Sequence, residues 1–358
     1  MPPLAIPTTV ETLTPAWLTQ ALAPSLGGAS IISVAATSIG TGQVGENVRL
    51  RLEFSAPTTV PRSLVAKLPS TSETSRAAAG ALRTYEVEVR FYQELAETLP
   101  VRTPRCYHAA IDLDSNAYVL LLEDLAPAAQ GNQLAGCSPD QAATAVLELP
   151  KLHAPRWGDP QLAAIGWLAR VDAEQQATMS ALLASLFPGF CERYQDRLAS
   201  EVLALGERLF ARMEAYAANR PGPWTIQHGD YRLDNLLFAT AEGGDPVAVV
   251  DWQVVTHGPA VADVAYFLGA GLVPDQRRAH EASLVREYYG ALCAAGVSGY
   301  GWDECWRDYR RYAFAGFVMA VAASMIVERT TRGDEMFVAM ASRHGQHALD
   351  LEAEDLLG

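Results

Sequence analysis

Two short strings carry the side chains best suited to chemistry. His228-Gly229-Asp230-Tyr231-Arg232-Leu233-Asp234-Asn235 places a carboxylate and an amide five positions apart, and Val249-Val250-Asp251-Trp252-Gln253 ends an apolar run on a second carboxylate. Phosphoryl transfer needs a carboxylate beside the attacking hydroxyl and hard oxygen ligands that hold Mg2+ against nucleotide phosphates. Asp230 and Asn235 can supply base and ligand from one loop, and Asp251 a charged ligand. A lone HxDxxxxN occurs often by chance, so its weight depends on the chain around it.

Upstream, Gly40, Gly42 and Gly45 of GTGQVG lie between residues 31–39 and the alternating VRLRLEF of 48–54, both of which read as strands. A dinucleotide fingerprint requires a helix after its glycines. Here a strand follows, an arrangement that lets backbone N–H groups fold over phosphates; a plain structural hairpin is the alternative. Lys67 ends the next strand, 63–68. Of the 27 basic residues only Lys67 and Lys151 are lysines, and a compact ammonium between two phosphates is poorly replaced by a planar guanidinium. The helix that follows offers Glu88 as its partner, while Glu86 reads as surface.

The elements that must position these groups change texture near residues 124–128. Before that point a helix at 16–23 precedes strands at 31–39, 48–54, 63–68, 106–112 and 117–123, with one long helix over 76–99. Beyond it, helices are expected at 139–153, 173–187, 189–218, 261–268, 277–295 and 302–327, with strands only at 236–239 and 247–251. The fold class is α+β in two lobes: an N-terminal nucleotide-binding lobe of residues 1–125, with a five-stranded antiparallel sheet and one helix, and a mostly helical catalytic and substrate-binding lobe of residues 126–358.

With 358 residues and 49% hydrophobic content the chain can bury a full core. Its net charge of −14 lacks the basic footprint of a nucleic-acid or anionic-membrane binder, so neither partner is expected. The five cysteines never form a CxxC pair, the first ten residues lack a secretory pattern, and the apolar run 312–327 is shorter than the roughly 20 residues of a spanning helix. A cytoplasmic location is expected. HExxH and GxSxG are absent, and His344 and His347, without a third ligand, read as solvated.

The strings HGDYRLDN, VVDWQ and ADVAYFL resemble the aminoglycoside phosphotransferase and choline-kinase-like superfamily, whose fold is similar to that of protein kinases. EVRFY, LLLEDL and HAPRW are most similar to its ecdysteroid-kinase-like and acyl-CoA-dehydrogenase-associated branches. The resemblance runs from about residue 38 to 270. It implies ATP and Mg2+ as cofactors, Asp230 as catalytic base, Asn235 and Asp251 as Mg2+ ligands, and Lys67 on the α- and β-phosphates with Glu88 as partner. It further implies Leu122 to Leu125, with Glu123 and Asp124, as the adenine-binding hinge, and Arg232 as a cation for the γ-phosphate. His228, His153 and Asp263 read as structural supports.

Between Trp252 and Val261 there is no room for a long regulatory segment, and Thr256 is its only hydroxyl, so the acceptor should be a small molecule. Residues 170–220 carry seven acids against six arginines, too balanced for a polycation site. Phe187, Phe190, Tyr194, Tyr288, Tyr289, Trp302, Trp306 and Tyr309 instead suit an apolar acceptor with one reactive hydroxyl, lipid-like, steroid-like or hydroxyacyl. An aminoglycoside phosphotransferase and a nucleotide-binding pseudokinase are the alternatives.

Overall fold

The computed structural model describes residues 4–39, 45–168, 173–327 and 329–357, and the chain divides into two compact units. The first comprises residues 1–128 and 248–254, the second 129–247 and 255–358. Gly40 and Gly42 lie outside the described residues; Gly45 is the first residue of its strand.

The first unit is built on strands β1 (Ile31–Ser38), β2 (Gly45–Phe54), β3 (Ser63–Pro69), β4 (Cys106–Asp112) and β5 (Ala117–Glu123), in the order β1-β2-β3-β5-β4 with neighbouring strands antiparallel. The alternation decides the faces. Val48, Leu50 and Leu52 of β2 join Leu64, Ala66 and Leu68 of β3 in a core closed by Leu18, Leu22 and Leu26 from the N-terminal helices. Lys67, out of phase with that set, is carried on the other face, opposite Asn47 and Leu120 in register. At Gly45 a Cβ would come within 2.8 Å of the Tyr118 hydroxyl and 2.9 Å of the Leu68 carbonyl, so this glycine is required by close packing.

The single helix expected over 76–99 is broken. Helix Glu73–Ala81 stops, Arg83 takes a left-handed φ of 57°, and Thr84–Arg90 begins on a new axis before a π-turn Phe91–Leu95. The first piece buries only Ala79, whereas the second buries Tyr85, Val87, Glu88 and Val89. One straight rod could not serve both surfaces.

In the second unit, β6 (Ala129–Gln130) pairs with β8 (Leu236–Thr240), which is followed by β9 (Gly243–Val249), whose last two residues already count with the first unit; β7 (Trp224–Gln227) pairs with β10 (Thr256–Pro259). Thus the short segment after Asp251 is itself a strand. Helix Pro139–His153 starts at a capping box of Ser138 and Gln141. Helix Ala173–Tyr194 runs through Pro188 instead of stopping there, with Phe187 stacked on Phe210 at 4.6 Å and Phe190 fully buried beyond the proline. The expected helix 189–218 is three: the end of that one, Ser200–Phe210 and Met213–Ala218. Likewise 302–327 divides into Trp302–Arg311, a 3-10 turn Tyr312–Phe314 and Ala315–Ile326. No helix among the described residues is long and apolar enough to cross a membrane.

A further helix, Thr331–Asp350, was not expected, and it corrects the reading of His344 and His347 as solvated: both are fully buried. The His344 imidazole fills slots left by Gly269 and Gly316, and the Tyr309 hydroxyl lies 2.9 Å from His347 Nε2. Burial depresses His344 well below the ordinary imidazole value, with His347, Arg277 and Arg343 adding to it. His347 is also depressed by burial, against the opposing pull of Glu281 and Asp350. Both rings are therefore neutral in the fold, while the unfolded chain gains protons below about pH 6.5. Stability should be full above that pH and fall as pH drops through it, by up to about 1.4 kcal/mol per unit and per histidine. Thermal unfolding between pH 7.5 and 5.5 checks this: the loss should be smaller in His344→Met than in the parent chain.

Candidate active site

The expected site residues fall into two sets, one in each unit. In the first, the Lys67 ammonium lies 2.6 Å from Glu88 Oε1 and 3.1 Å from Asp251 Oδ1. Glu88 is 2% exposed, so its charge depends on this partner. Burial opposes the Lys67 charge, yet Asp251 and Glu88 outweigh it and hold the ammonium well above its ordinary value. Burial also raises Glu88 in spite of Lys67, with Asp251 as a second negative charge beside it.

Asp251 does not end a strand as the sequence reading had it; β9 stops at Val249 and Asp251 takes a left-handed φ of 67°. What holds it there is the next residue. Trp252 is fully buried, stacks on Phe91 at 3.9 Å and 11°, and donates its indole N–H to Thr103 Oγ1 at 2.8 Å. Gln253 Nε2 donates to Asp251 Oδ2 at 3.2 Å. Trp252→Ala should cost about 3–5 kcal/mol, as large aromatic truncations in cores do, and release Asp251 with it. Chemical denaturation and the nucleotide KM of this variant check both effects.

At the end of β5 the acidic side chains are fully engaged. Glu123 accepts from Arg102 at 2.9 and 2.8 Å, and Asp124 accepts from Arg49 at 2.7 and 3.0 Å and from Ser63 at 2.5 Å. Their carboxylates therefore pin the segment Glu123–Leu125, and what it offers a ligand is backbone.

The second set surrounds Asp230. Asp263, fully buried in helix Val261–Gly271, accepts from the backbone N–H of His228 at 2.7 Å and of Gly229 at 3.0 Å, which the φ of +82° at Gly229 makes possible. His153 joins through Nε2 at 3.3 Å from Asp263, with Nδ1 2.8 Å from the Tyr288 hydroxyl. His228 Nδ1 accepts from the N–H of Asp230 at 3.2 Å. The loop is thus braced from below by a buried carboxylate and two imidazoles.

Asn235 donates from Nδ2 to Asp230, at 2.9 Å to its carbonyl and 2.9 Å to Oδ2, which leaves the amide oxygen as the atom that could meet a cation. Arg232 donates Nε–H to Asp230 Oδ2 at 3.1 Å and Nη1–H to Asp234 Oδ2 at 2.5 Å. Burial works against its charge, but Asp230, Tyr266 and Asp234 raise it above the ordinary guanidinium value. Asp234 in turn accepts from the Gln133 N–H at 3.0 Å.

Sequence reasoning missed Tyr266. Its hydroxyl donates to Asp230 Oδ1 at 2.7 Å. The signal was available: Tyr266 is three residues after Asp263 on one helix, a spacing that puts both on the same face.

Of the eight aromatics expected to line an acceptor pocket, Phe187, Phe190, Tyr194, Tyr288 and Tyr309 are closed core. Trp302 and Trp306 stack on each other at 5.8 Å, with Arg286 3.8 Å above Trp302 and Tyr289 at 5.9 Å. The aromatic count supports no particular acceptor.

This is a kinase-like architecture. The chain belongs to the phosphotransferase enzyme family, whose model matches residues 49–313. Among solved structures it is similar to a choline kinase from Cryptosporidium parvum, with a TM-score of 0.56 at 10% identity, covering 97% of this chain and 94% of that one. It is also similar to a Ralstonia eutropha protein assigned as an aminoglycoside phosphotransferase, with a TM-score of 0.53 at 17% identity, covering 96% and 98%. Among curated proteins, acyl-CoA dehydrogenase family member 10 of Mus musculus is 48% identical over 50 residues, 14% of this chain and 5% of that protein. Family member 11 of Gallus gallus is 31% identical over 91 residues, 22% and 11%. The matched segments are a small part of those relatives.

Proposed function

We propose that the chain transfers the γ-phosphoryl group of ATP to a hydroxyl of a small molecule. The observation that carries this reading is the Asp230 carboxylate, held by Arg232, Asn235 and Tyr266 yet still partly open. A pseudokinase needs no such base. In this reading Asp230 orients the acceptor hydroxyl and takes its proton, Lys67 meets the α- and β-phosphates while Glu88 steadies it, and the backbone of Glu123, Asp124 and Leu125 meets adenine. Gly40, Gly42 and Gly45 are assigned to phosphate contact on their place between two strands in the sequence. Arg232 is assigned to the γ-phosphate, its second role being to hold Asp230.

Asn235 and Asp251 are assigned to Mg2+. An amide oxygen whose nitrogen is committed to Asp230 and a carboxylate are hard donors of the kind this cation takes. The ion supplies charge neutralisation at the β- and γ-phosphates. Nucleotide use is in keeping with an aminoglycoside phosphotransferase of similar fold solved as a GDP complex, TM-score 0.50 at 15% identity. The five cysteines are all unpaired, as suits a cytoplasmic enzyme.

For the acceptor we favour an apolar alcohol, in particular a hydroxyacyl compound. A polycation needs open carboxylates, and Asp234 in this loop is already paired with Arg232. The local likeness to proteins named for acyl-CoA dehydrogenation points the same way. Coupled ADP release with Mg2+ and ATP over a panel of 3-hydroxydecanoyl-coenzyme A, a hydroxysteroid, choline and kanamycin tests this. Turnover on the apolar alcohols is expected. Turnover on kanamycin alone would replace the acceptor assignment, and ATP binding without turnover on any member would favour the pseudokinase.

A further inference from the structure

We propose that Tyr266 is a positioning residue for the reaction: its hydroxyl fixes the Asp230 carboxylate so that one remaining acceptor position, on Oδ1, receives the proton of the substrate alcohol. This rests on the reading of Asp230 as the base.

An ionised carboxylate offers about four acceptor positions. Two are taken on Oδ2, by Arg232 Nε at 3.1 Å and Asn235 Nδ2 at 2.9 Å. One is taken on Oδ1, by Tyr266 at 2.7 Å. The fourth, also on Oδ1, is the one left to a substrate. During transfer the acceptor oxygen bonds to the γ-phosphorus as the bridging P–O bond breaks, its electron pair leaving on ADP, and the alcohol proton passes to that site. Without the Tyr266 hydroxyl, Oδ1 has two open positions and the carboxylate is restrained from one side only. Its terminal torsion is intrinsically broad, so the substrate can then meet it in unproductive directions.

Tyr266 is well placed to act as a fixed donor. Every residue of its helix is buried, and its ring packs against His344 at 5.6 Å. His344 is itself locked in the slots at Gly269 and Gly316, where a Cβ would strike the imidazole. Burial, reinforced by Asp230, pushes the phenol well above its ordinary value, so it stays protonated and donating. Removing only its oxygen leaves the ring contacts in place.

The test compares parent, Tyr266→Phe, Asp230→Asn and the double variant, with 3-hydroxydecanoyl-coenzyme A as acceptor, or kanamycin if the panel selects it. In Tyr266→Phe, kcat should fall about 10- to 100-fold, since a misplacement near 1 Å can cost about 100-fold, while the ATP KM and the unfolding midpoint stay near the parent values. In the Asp230→Asn background the same change should have no further effect, because Tyr266 acts through that carboxylate. A parent-like kcat in Tyr266→Phe, or the same fold-loss in both backgrounds, overturns the proposal. As a variant that keeps the ring and the hydroxyl, 3-fluorotyrosine at position 266 retains the hydrogen bond and should keep kcat near the parent value; a loss there as large as in Tyr266→Phe also overturns the proposal. Turnover retained in Asp230→Asn strikes instead at the assignment of the base.

Discussion

Asp230→Asn is expected to lower kcat by about 100- to 10,000-fold, the range that a positioned general base contributes, with nucleotide affinity close to that of the parent chain. The replacement keeps size and shape, and its amide can still face Arg232 through the oxygen. What it loses is the ability to take a proton and the Oδ1 acceptor that Tyr266 meets. Asp230 belongs to the unit that does not contain Lys67, Glu88 or the Glu123–Leu125 segment, so those groups assigned to the nucleotide are untouched by it, and the retained oxygen keeps the contacts to Arg232 and Asn235. Steady-state kinetics together with a fluorescent-nucleotide titration separate the two effects. Weakened nucleotide binding with unchanged kcat would put Asp230 on the wrong partner.

The second large effect is expected at Lys67. Lys67→Met removes the ammonium that Glu88 and Asp251 share, and breaking a buried pair from one side costs about 3–5 kcal/mol. Chemical denaturation should show most of that loss, and ATP turnover should vanish. Lys67→Arg discriminates between charge and shape. It restores the cation and should recover much of the stability, but the wider, planar group cannot act as a point charge between phosphates, so kcat/KM for ATP should remain well below that of the parent. Parent-like kinetics in Lys67→Arg would reduce Lys67 to a structural cation.

Much of this was legible in the residues, and the reason is periodicity. The alternation of β2 fixed which face is core, and from it followed the face that carries Lys67. HGDYRLDN marked the loop proposed as catalytic because its spacing is what that chemistry requires, and the structure does bring Asp230 and Asn235 together there. The break at Arg83 was hidden, since nothing in AAAGALRTYEVEV forbids a helix; it arises from two surfaces that one axis cannot serve. The helix Thr331–Asp350 was hidden for a different reason. Its inward positions include Gly333, Ala341, His344, Gly345 and His347, small or polar types that hydropathy does not count as core. The aromatic residues failed as a guide to the acceptor because spacing cannot separate a closed core from an open wall. Residues 248–254 likewise group with the N-terminal unit, a return of the chain that no boundary drawn in sequence order can express.

The most direct test of the central claim is 31P NMR of a reaction containing the protein, Mg2+, ATP and the acceptor panel. A new phosphomonoester resonance is expected to grow in step with ADP, with little inorganic phosphate, and to be absent with Asp230→Asn. ADP accompanied only by inorganic phosphate, at equal rates in the parent and in Asp230→Asn, would contradict it.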